Sequence, residues 1–114
     1  MVIVKGIREG ILFHLNDNDL EMNLNALTKL VKERQEFWRG AKAVLETGNL
    51  EITSDQLLSL KDELSQYDLT LWAVLSENEK TQKSAQTLGL ATRISRPERE
   101  NLLEADSAYF QGEP

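Results

Sequence analysis

Few residues in this chain are of the types that carry out catalysis. His14 is the only histidine and there is no cysteine, which disfavours a histidine-based zinc site, a thiolate ligand or a Ser-His relay. Acidic pairs occur at Asp62–Glu63 and Glu77/Glu79, but both fall on predicted helix surfaces or caps, where solvated carboxylates are usual. Ser54 lies at a predicted helix start and is explained by capping. The sequence therefore predicts no enzyme activity and no metal.

The glycines do not form a phosphate-binding loop. Gly6 and Gly10 do not make GxGxxG and no GK[ST] occurs, so we predict no cofactor. Gly6 is nevertheless unusual, because with Lys5 it interrupts VIVKGIREGILFHL, a stretch otherwise rich in strand-forming residues. A glycine inside a strand indicates a bulge, a turn or a close backbone approach.

The composition limits the class of protein and of partner. A length of 114 residues, 40% of them hydrophobic, predicts one domain with a single core. The net charge of −6 argues against general nucleic-acid binding. No apolar stretch is long enough for direct membrane insertion, and residues 1–20 carry charges where a signal peptide is apolar. With no cysteine present, these features predict a cytoplasmic protein.

A basic run departs from this acidic average. Five cations lie between residues 29 and 42 against two carboxylates, Glu33 and Glu36; the cations are Lys29, Lys32, Arg34, Arg39 and Lys42. Two explanations remain open: cations favour a helix C-terminus, or the run is a docking patch for an acidic protein. Phe37 lies about 100° around the helix from Trp38, which is predicted to face the core, so Phe37 is expected to be half exposed. An exposed aromatic ring among arginines and lysines is typical of an interface anchor.

Hydrophobic periodicity predicts a mixed α/β fold in the order β-β-α-β-α-β-α, with a last short strand at LATRI. The first two strands form an antiparallel hairpin, and the strands separated by helices are expected to be parallel, which gives a mixed but mostly parallel small sheet. LTLWAVLS, apolar on both faces, indicates a central strand covered on both sides or a strand between a helix and a neighbouring layer. The folded domain is predicted to span residues 1–94. Residues 95–114 are predicted to be a polar, acidic linker or tail with no domain after it.

Helix boundaries are predicted from capping residues. Three pairs have capping-box spacing: Asn18 with Glu21, Thr53 with Gln56, and Ser76 with Glu79. The apolar stripe of the first helix runs from Leu20 to Trp38 and is interrupted by Arg34, so this side chain must bend towards solvent or the last turn must loosen. Gly40 is predicted to end the helix.

The segments EFWRGAKAVLETGNL and ITSDQLLSLKDELSQYDLTLWAVLSENEKTQKSAQTLGLA, together with KG in the first strand, resemble the N-terminal domain of MinC, the bacterial septum-site inhibitor. The resemblance covers about residues 2–94 and depends on the order and spacing of the elements. It implies a module without enzymatic activity. That module binds FtsZ, the tubulin-like division GTPase, and antagonises its assembly into the septal ring, which helps to place the division site.

The resemblance also implies which residues act. In the family, a Lys-Gly pair in the first strand and an aromatic residue at the end of the first helix are linked to inhibition; here Lys5, Gly6 and Phe37 match them. Arg34 and Arg39, from the basic run, complete the predicted FtsZ-binding residues. The family has a second, β-helical domain that dimerises and binds the ATPase MinD. These 114 residues show no such domain, so MinD binding and membrane recruitment are expected only through it.

Two further expectations remain. An exposed edge strand in the first hairpin allows a homodimer by strand pairing. A rival interpretation is a STAS-like anti-sigma-factor antagonist, a binding module switched by serine phosphorylation. In it a phosphate on Ser54 would lie at a helix N-terminus. The Asp-Ser pair followed by glycine that is usual in that family is missing from TSDQL.

Overall fold

The computed structural model describes residues 2–16 and 18–94. Within them the chain forms four strands and four helices, in the order β1 (Val2–Ile7), β2 (Gly10–Leu15), α1 (Leu20–Glu33), α2 (Gln35–Trp38), β3 (Lys42–Gly48), α3 (Ser54–Ser65), β4 (Thr70–Ser76) and α4 (Glu79–Thr87). The predicted order is confirmed, with one extra helical turn, α2. The predicted last strand is reduced to a single bridge between Ala73 and Ala91. The predicted tail, 95–114, lies outside the described residues.

The sheet is mixed, as predicted, and its strands follow the order β1-β2-β3-β4. β1 and β2 are antiparallel, whereas β2 with β3 and β3 with β4 are parallel. Of the two alternatives for LTLWAVLS, the central strand is wrong, because β4 is the last of the four strands and, within the described chain, has only the Ala73–Ala91 bridge beyond it. The other alternative, a strand covered by a helix and a neighbouring layer, agrees with the structure, because buried apolar clusters lie on both faces of the sheet.

The larger cluster lies between the sheet and the helices, on what we call the helix side. Phe13, Leu45 and Leu71 from the strands pack there with buried side chains of α1, α3 and α4, which are Leu27, Val31, Leu57, Leu60, Leu64 and Ala85. The smaller cluster, on what we call the outer side, consists of Leu12, Val44 and Ala73, with partly buried neighbours Ile7, Trp72, Leu75, Ala91 and Ile94. Burial of these side chains drives the fold, because each fully buried leucine, valine or phenylalanine contributes about 1.5–3 kcal/mol.

Of the three predicted capping boxes, the one at α3 is confirmed. The Thr53 hydroxyl accepts a hydrogen bond from the Gln56 backbone N–H (3.1 Å), and the Gln56 side chain accepts one from the Thr53 backbone N–H (2.9 Å). The other two predictions are wrong by one and two residues. Asp19 caps α1 and Asn78 caps α4. Ser76 still belongs to β4, so the chain needs two more residues to turn into the helix, and the Ser76 hydroxyl accepts from the Asn78 backbone N–H instead.

The first helical segment breaks at Arg34. Its backbone angles, φ −126° and ψ 36°, are not helical, so α1 ends at Glu33 and α2 begins at Gln35. Of the two alternatives left open at Arg34, the structure shows the loosened turn, and the prediction of one helix running to Gly40 is wrong. An uninterrupted helix would turn Arg34 towards the stripe that contains Leu27 and Val31. Because the helix breaks at this residue, Arg34 is exposed, whereas Trp38, four residues later, is buried in the core.

Candidate partner-binding surface

Gly6 lies in a regular part of β1. The β1–β2 pairing runs without a register shift from Val2–Leu15 to Ile7–Gly10, so the interpretation of Gly6 as a bulge is wrong. Gly6 is exposed, and a Cβ added to it would meet no atom within 4 Å. Gly10 is the glycine that the hairpin requires: its φ is +135°, and a Cβ there would clash with the carbonyl oxygen of Lys42. Packing within the described part of the chain therefore does not explain a glycine at position 6.

Lys5 and Gly6 face opposite sides of the sheet. Residues directly opposite each other in an antiparallel pair place their side chains on the same face. Gly6 is opposite Ile11, which packs on the helix side, whereas Lys5 is opposite Leu12, which lies in the outer-side cluster. The two residues that the sequence groups as one motif are therefore presented to two different surfaces, which meet at the edge strand β1.

Phe37 is an exposed ring that is attached to the core. Its side chain is 70% exposed, and its ring contacts the ring of Trp38 edge to face, with centroids 4.7 Å apart. Trp38 is 2% exposed and in turn contacts Phe13 edge to face at 5.3 Å. Phe13 lies opposite Val4, two residues from Gly6 on the same face of β1. Gly6 and Phe37 therefore share the helix side.

Arg34 and Arg39 flank Phe37. With Lys32, Glu33, Gln35 and Glu36 they line an open groove of about 630 Å³ along α2, which we call the Phe37 groove. Among the described residues the ion pairs are His14–Glu46 and Lys80–Glu51, so none of the cations of this groove is paired with a described carboxylate. Lys32 is the basic residue in the last turn of α1, whereas α2 has none there. The helix dipole therefore favours Lys32, and also Arg34 and Arg39 at the C-caps of α1 and α2, but it does not account for Lys42, which lies in β3.

The residues considered for catalysis occupy structural positions. His14 and Glu46 lie side by side on β2 and β3, with Nδ1 2.9 Å from Oε1 and each side chain 35% exposed. Ser54 is the first residue of α3, directly after its cap Thr53. Among residues 2–16 and 18–94, no group of three or more histidine, cysteine, aspartate or glutamate side chains is arranged to hold a metal ion.

Three residues near this surface were not predicted as binding residues: Arg8, Lys42 and Trp72. Lys42 belongs to the basic run, for which the sequence leaves helix capping and docking both open, and Trp72 lies in an apolar stretch, where an aromatic residue usually indicates core packing. Trp72 is in fact half buried, and its Nε1–H donates a hydrogen bond to the Glu9 carbonyl oxygen in the hairpin turn, 3.2 Å away. No sequence pattern reveals that contact, because it joins residues 63 positions apart.

Comparison with known families identifies the kind of domain. A family model described as septum formation inhibitor MinC, N-terminal domain, matches residues 2–71. The match covers more than half of the chain, and the chain therefore belongs to the MinC N-terminal domain family of septum formation inhibitors. Comparison with curated proteins and with solved structures gave no match. Nothing in these findings supports the STAS-like alternative.

The family membership places the chain in bacterial cell division, in the Min system that controls septation. The matched range contains the five predicted binding residues, which are Lys5, Gly6, Arg34, Phe37 and Arg39. Their individual roles stay predictions. In the described part of the chain no helix is long and apolar enough to cross a membrane.

Proposed function

We propose that this domain inhibits septum formation by binding FtsZ, and that it does so through the surface around Phe37. The observation that carries the proposal is a solvent-exposed phenylalanine ring, fixed to the core through Trp38 and flanked by cations that have no carboxylate partner within the described residues. Rigid aromatic anchors and arginines dominate the energetics of protein interfaces. Membership in the septum-inhibitor family supports FtsZ, the division GTPase, as the partner.

The proposed mechanism is binding alone, without an enzymatic step or a cofactor. A bound protein shifts an equilibrium only by the difference between its affinities for the two states. We propose that the domain binds FtsZ more tightly outside the assembled polymer than within it, so that binding favours disassembly. Arg34 and Arg39 would steer the encounter with an acidic surface, and Phe37 would slow dissociation by filling an apolar pocket.

We further propose that the domain works in the cytoplasm. In that arrangement recruitment to the membrane is supplied by MinD, which contacts a separate C-terminal domain of the family and not the residues described above. The N-terminal domain would then bind FtsZ where MinD recruits the protein to the membrane, without inserting into the membrane itself.

Phe37→Ala tests the anchor. Because the side chain is 70% exposed, its removal is expected to leave stability nearly unchanged. It is expected to weaken FtsZ binding by about 1–3 kcal/mol, roughly 5- to 150-fold, if Phe37 is a hot spot. The measurement is sedimentation of FtsZ with GTP, with and without excess domain, alongside a direct binding titration.

The matched control for this experiment is Leu58→Ala, which truncates another exposed apolar side chain, 44% accessible, on α3. It is expected to inhibit and bind like the unmodified domain. Equal binding by Phe37→Ala and the unmodified domain would remove Phe37 from the proposed surface. Absence of any FtsZ binding by the unmodified domain would contradict the proposed function as a whole.

We also propose that the free edge of β1 pairs with a second copy of the domain. Among the described residues β1 has a partner strand on one side only, and Ile3 and Val4 are 39% and 37% exposed. In a two-fold antiparallel pairing of identical strands, the residue on the symmetry axis lies opposite its own copy. We place Val4, near the middle of β1, at that position.

Val4→Lys tests this pairing. It would place two like charges together and is expected to shift sedimentation velocity profiles towards monomer. Met22→Lys, on exposed α1 surface, is the control; a monomer at every concentration of the unmodified domain contradicts the proposal.

A further inference from the structure

Trp72 occupies a β-bulge. Ala43 pairs with Leu71 and the next residue, Val44, pairs with Ala73, so Trp72 is the extra residue on β4. A bulge redirects the side chain of the extra residue. The indole of Trp72 packs against the outer-side cluster, and its Nε1–H donates to the Glu9 carbonyl oxygen at 3.2 Å. The ring therefore extends from β4, past the start of β3, to the turn between β1 and β2.

The redirected ring forms one wall of a second groove, of about 410 Å³, which we call the Trp72 groove. Its other walls are Arg8, Glu9 and Gly10 from the hairpin, and Ala41 and Lys42 from the start of β3. Arg8 and Lys42 are exposed, and neither forms an ion pair with another described residue. The groove thus combines a half-buried aromatic face with two cations that have no carboxylate partner among the described residues, the combination that an acidic segment with an apolar side chain would fit.

The Phe37 and Trp72 grooves lie next to each other along the chain. Arg39 lines the first and Lys42 lines the second, with only Gly40 and Ala41 between them. Together the two grooves are lined by five cations and three carboxylates in a chain whose net charge is −6; the cations are Arg8, Lys32, Arg34, Arg39 and Lys42. Each groove thus carries an aromatic side chain and more cations than carboxylates, and residues 39–42 connect the two.

We propose that the Trp72 groove is a second anchor site for the same partner, and that it accepts an acidic segment carrying an apolar side chain. The inference rests on the proposed function and extends it. Phe37 anchors the partner on the helix side of the sheet, Trp72 anchors it on the outer side, and the cations between them contact its carboxylates. Lys5 faces the outer side of the sheet and Gly6 faces the helix side. A partner that contacts both sides would therefore have one of these two residues on each side.

The charge requirement is tested by Lys42→Glu. The variant is expected to bind FtsZ at least tenfold more weakly at low ionic strength, with a smaller effect at high salt, because the charges are exposed and screened. Lys83→Glu, the same change on exposed α4 surface, is the matched control and is expected to bind within twofold of the unmodified domain. Equal affinities for the two variants would overturn the proposal.

Contact with Trp72 is tested by labelling. The chain has two tryptophans, so a domain containing 5-fluorotryptophan gives two ¹⁹F resonances, assigned by Trp72→Phe. Trp38 reports on the Phe37 groove through its ring contact with Phe37, and Trp72 reports on the second groove. On addition of unassembled FtsZ, changes in both resonances are expected. A change in Trp38 alone overturns the second anchor and leaves the proposed function intact, whereas no change in either contradicts the proposed function itself.

Discussion

Gly10→Ala is expected to lower the free energy of unfolding by about 3 kcal/mol. Two effects add at this position. The φ of +135° is one that residues with a Cβ rarely adopt, and the added Cβ would meet the Lys42 carbonyl oxygen, a backbone atom that cannot move without disturbing β3. The measurement is urea unfolding followed by circular dichroism, with the midpoint and slope compared with those of the unmodified domain.

Gly6→Ala is the matched control for this experiment. It adds the same methyl group to the same hairpin, at a position where the φ is not positive and no atom lies within 4 Å of the new Cβ. Its free energy of unfolding is expected to stay within about 0.5 kcal/mol of the unmodified domain. Equal losses for the two alanine variants would contradict the assignment of Gly10 as the residue that the turn geometry requires.

Gly6→Asp is expected to reduce FtsZ binding at least thirtyfold, about 2 kcal/mol, while the domain stays folded. The side chain at position 6 faces the helix side, which it shares with Phe37, and it has open space around it. A carboxylate placed there would oppose the acidic surface that Arg34 and Arg39 are proposed to attract. Aspartate also has low strand propensity, a cost of up to about 1 kcal/mol that the fold should tolerate.

Gly6→Asn separates charge from bulk in this experiment, since asparagine has nearly the same size as aspartate and no charge. An intermediate loss of binding is expected for Gly6→Asn. Binding titrations should be accompanied by circular dichroism spectra of each variant. If Gly6→Asp unfolds while Gly6→Ala does not, the loss of inhibition has a structural cause, and the proposed contact at position 6 is wrong.

The local features of this fold follow from short stretches of sequence. The capping box at Thr53 and Gln56 involves neighbouring residues, and the hairpin at residues 8–10 depends on a turn of two residues. The loosening at Arg34 is also local, because one charged residue falls on an apolar stripe. Such features depend on a few consecutive side chains and are therefore visible in a single sequence.

The place of β4 in the sheet and the register between β3 and β4 could not be predicted. LTLWAVLS is apolar on both faces whether it lies in the middle of a sheet or, as found, last in it beneath Ala91 and Ile94. The bulge at Trp72 depends on the register between β3 and β4, which the sequence of β4 alone does not specify. For the same reason the sequence grouped Lys5 with Gly6, although alternation along the strand sends them to different faces.

The order of the strands determines at which edge of the sheet a linker attached to either end of the domain would lie. β1 forms one edge of the sheet, whereas the described chain ends at Ile94, just past the bridge that places Ala91 beyond β4 at the other edge. Four strand spacings separate the two, about 19 Å. An attachment after Ile94 would therefore lie at the sheet edge opposite Lys5 and Gly6, whereas an attachment before Val2 would lie on the same edge strand as these two residues.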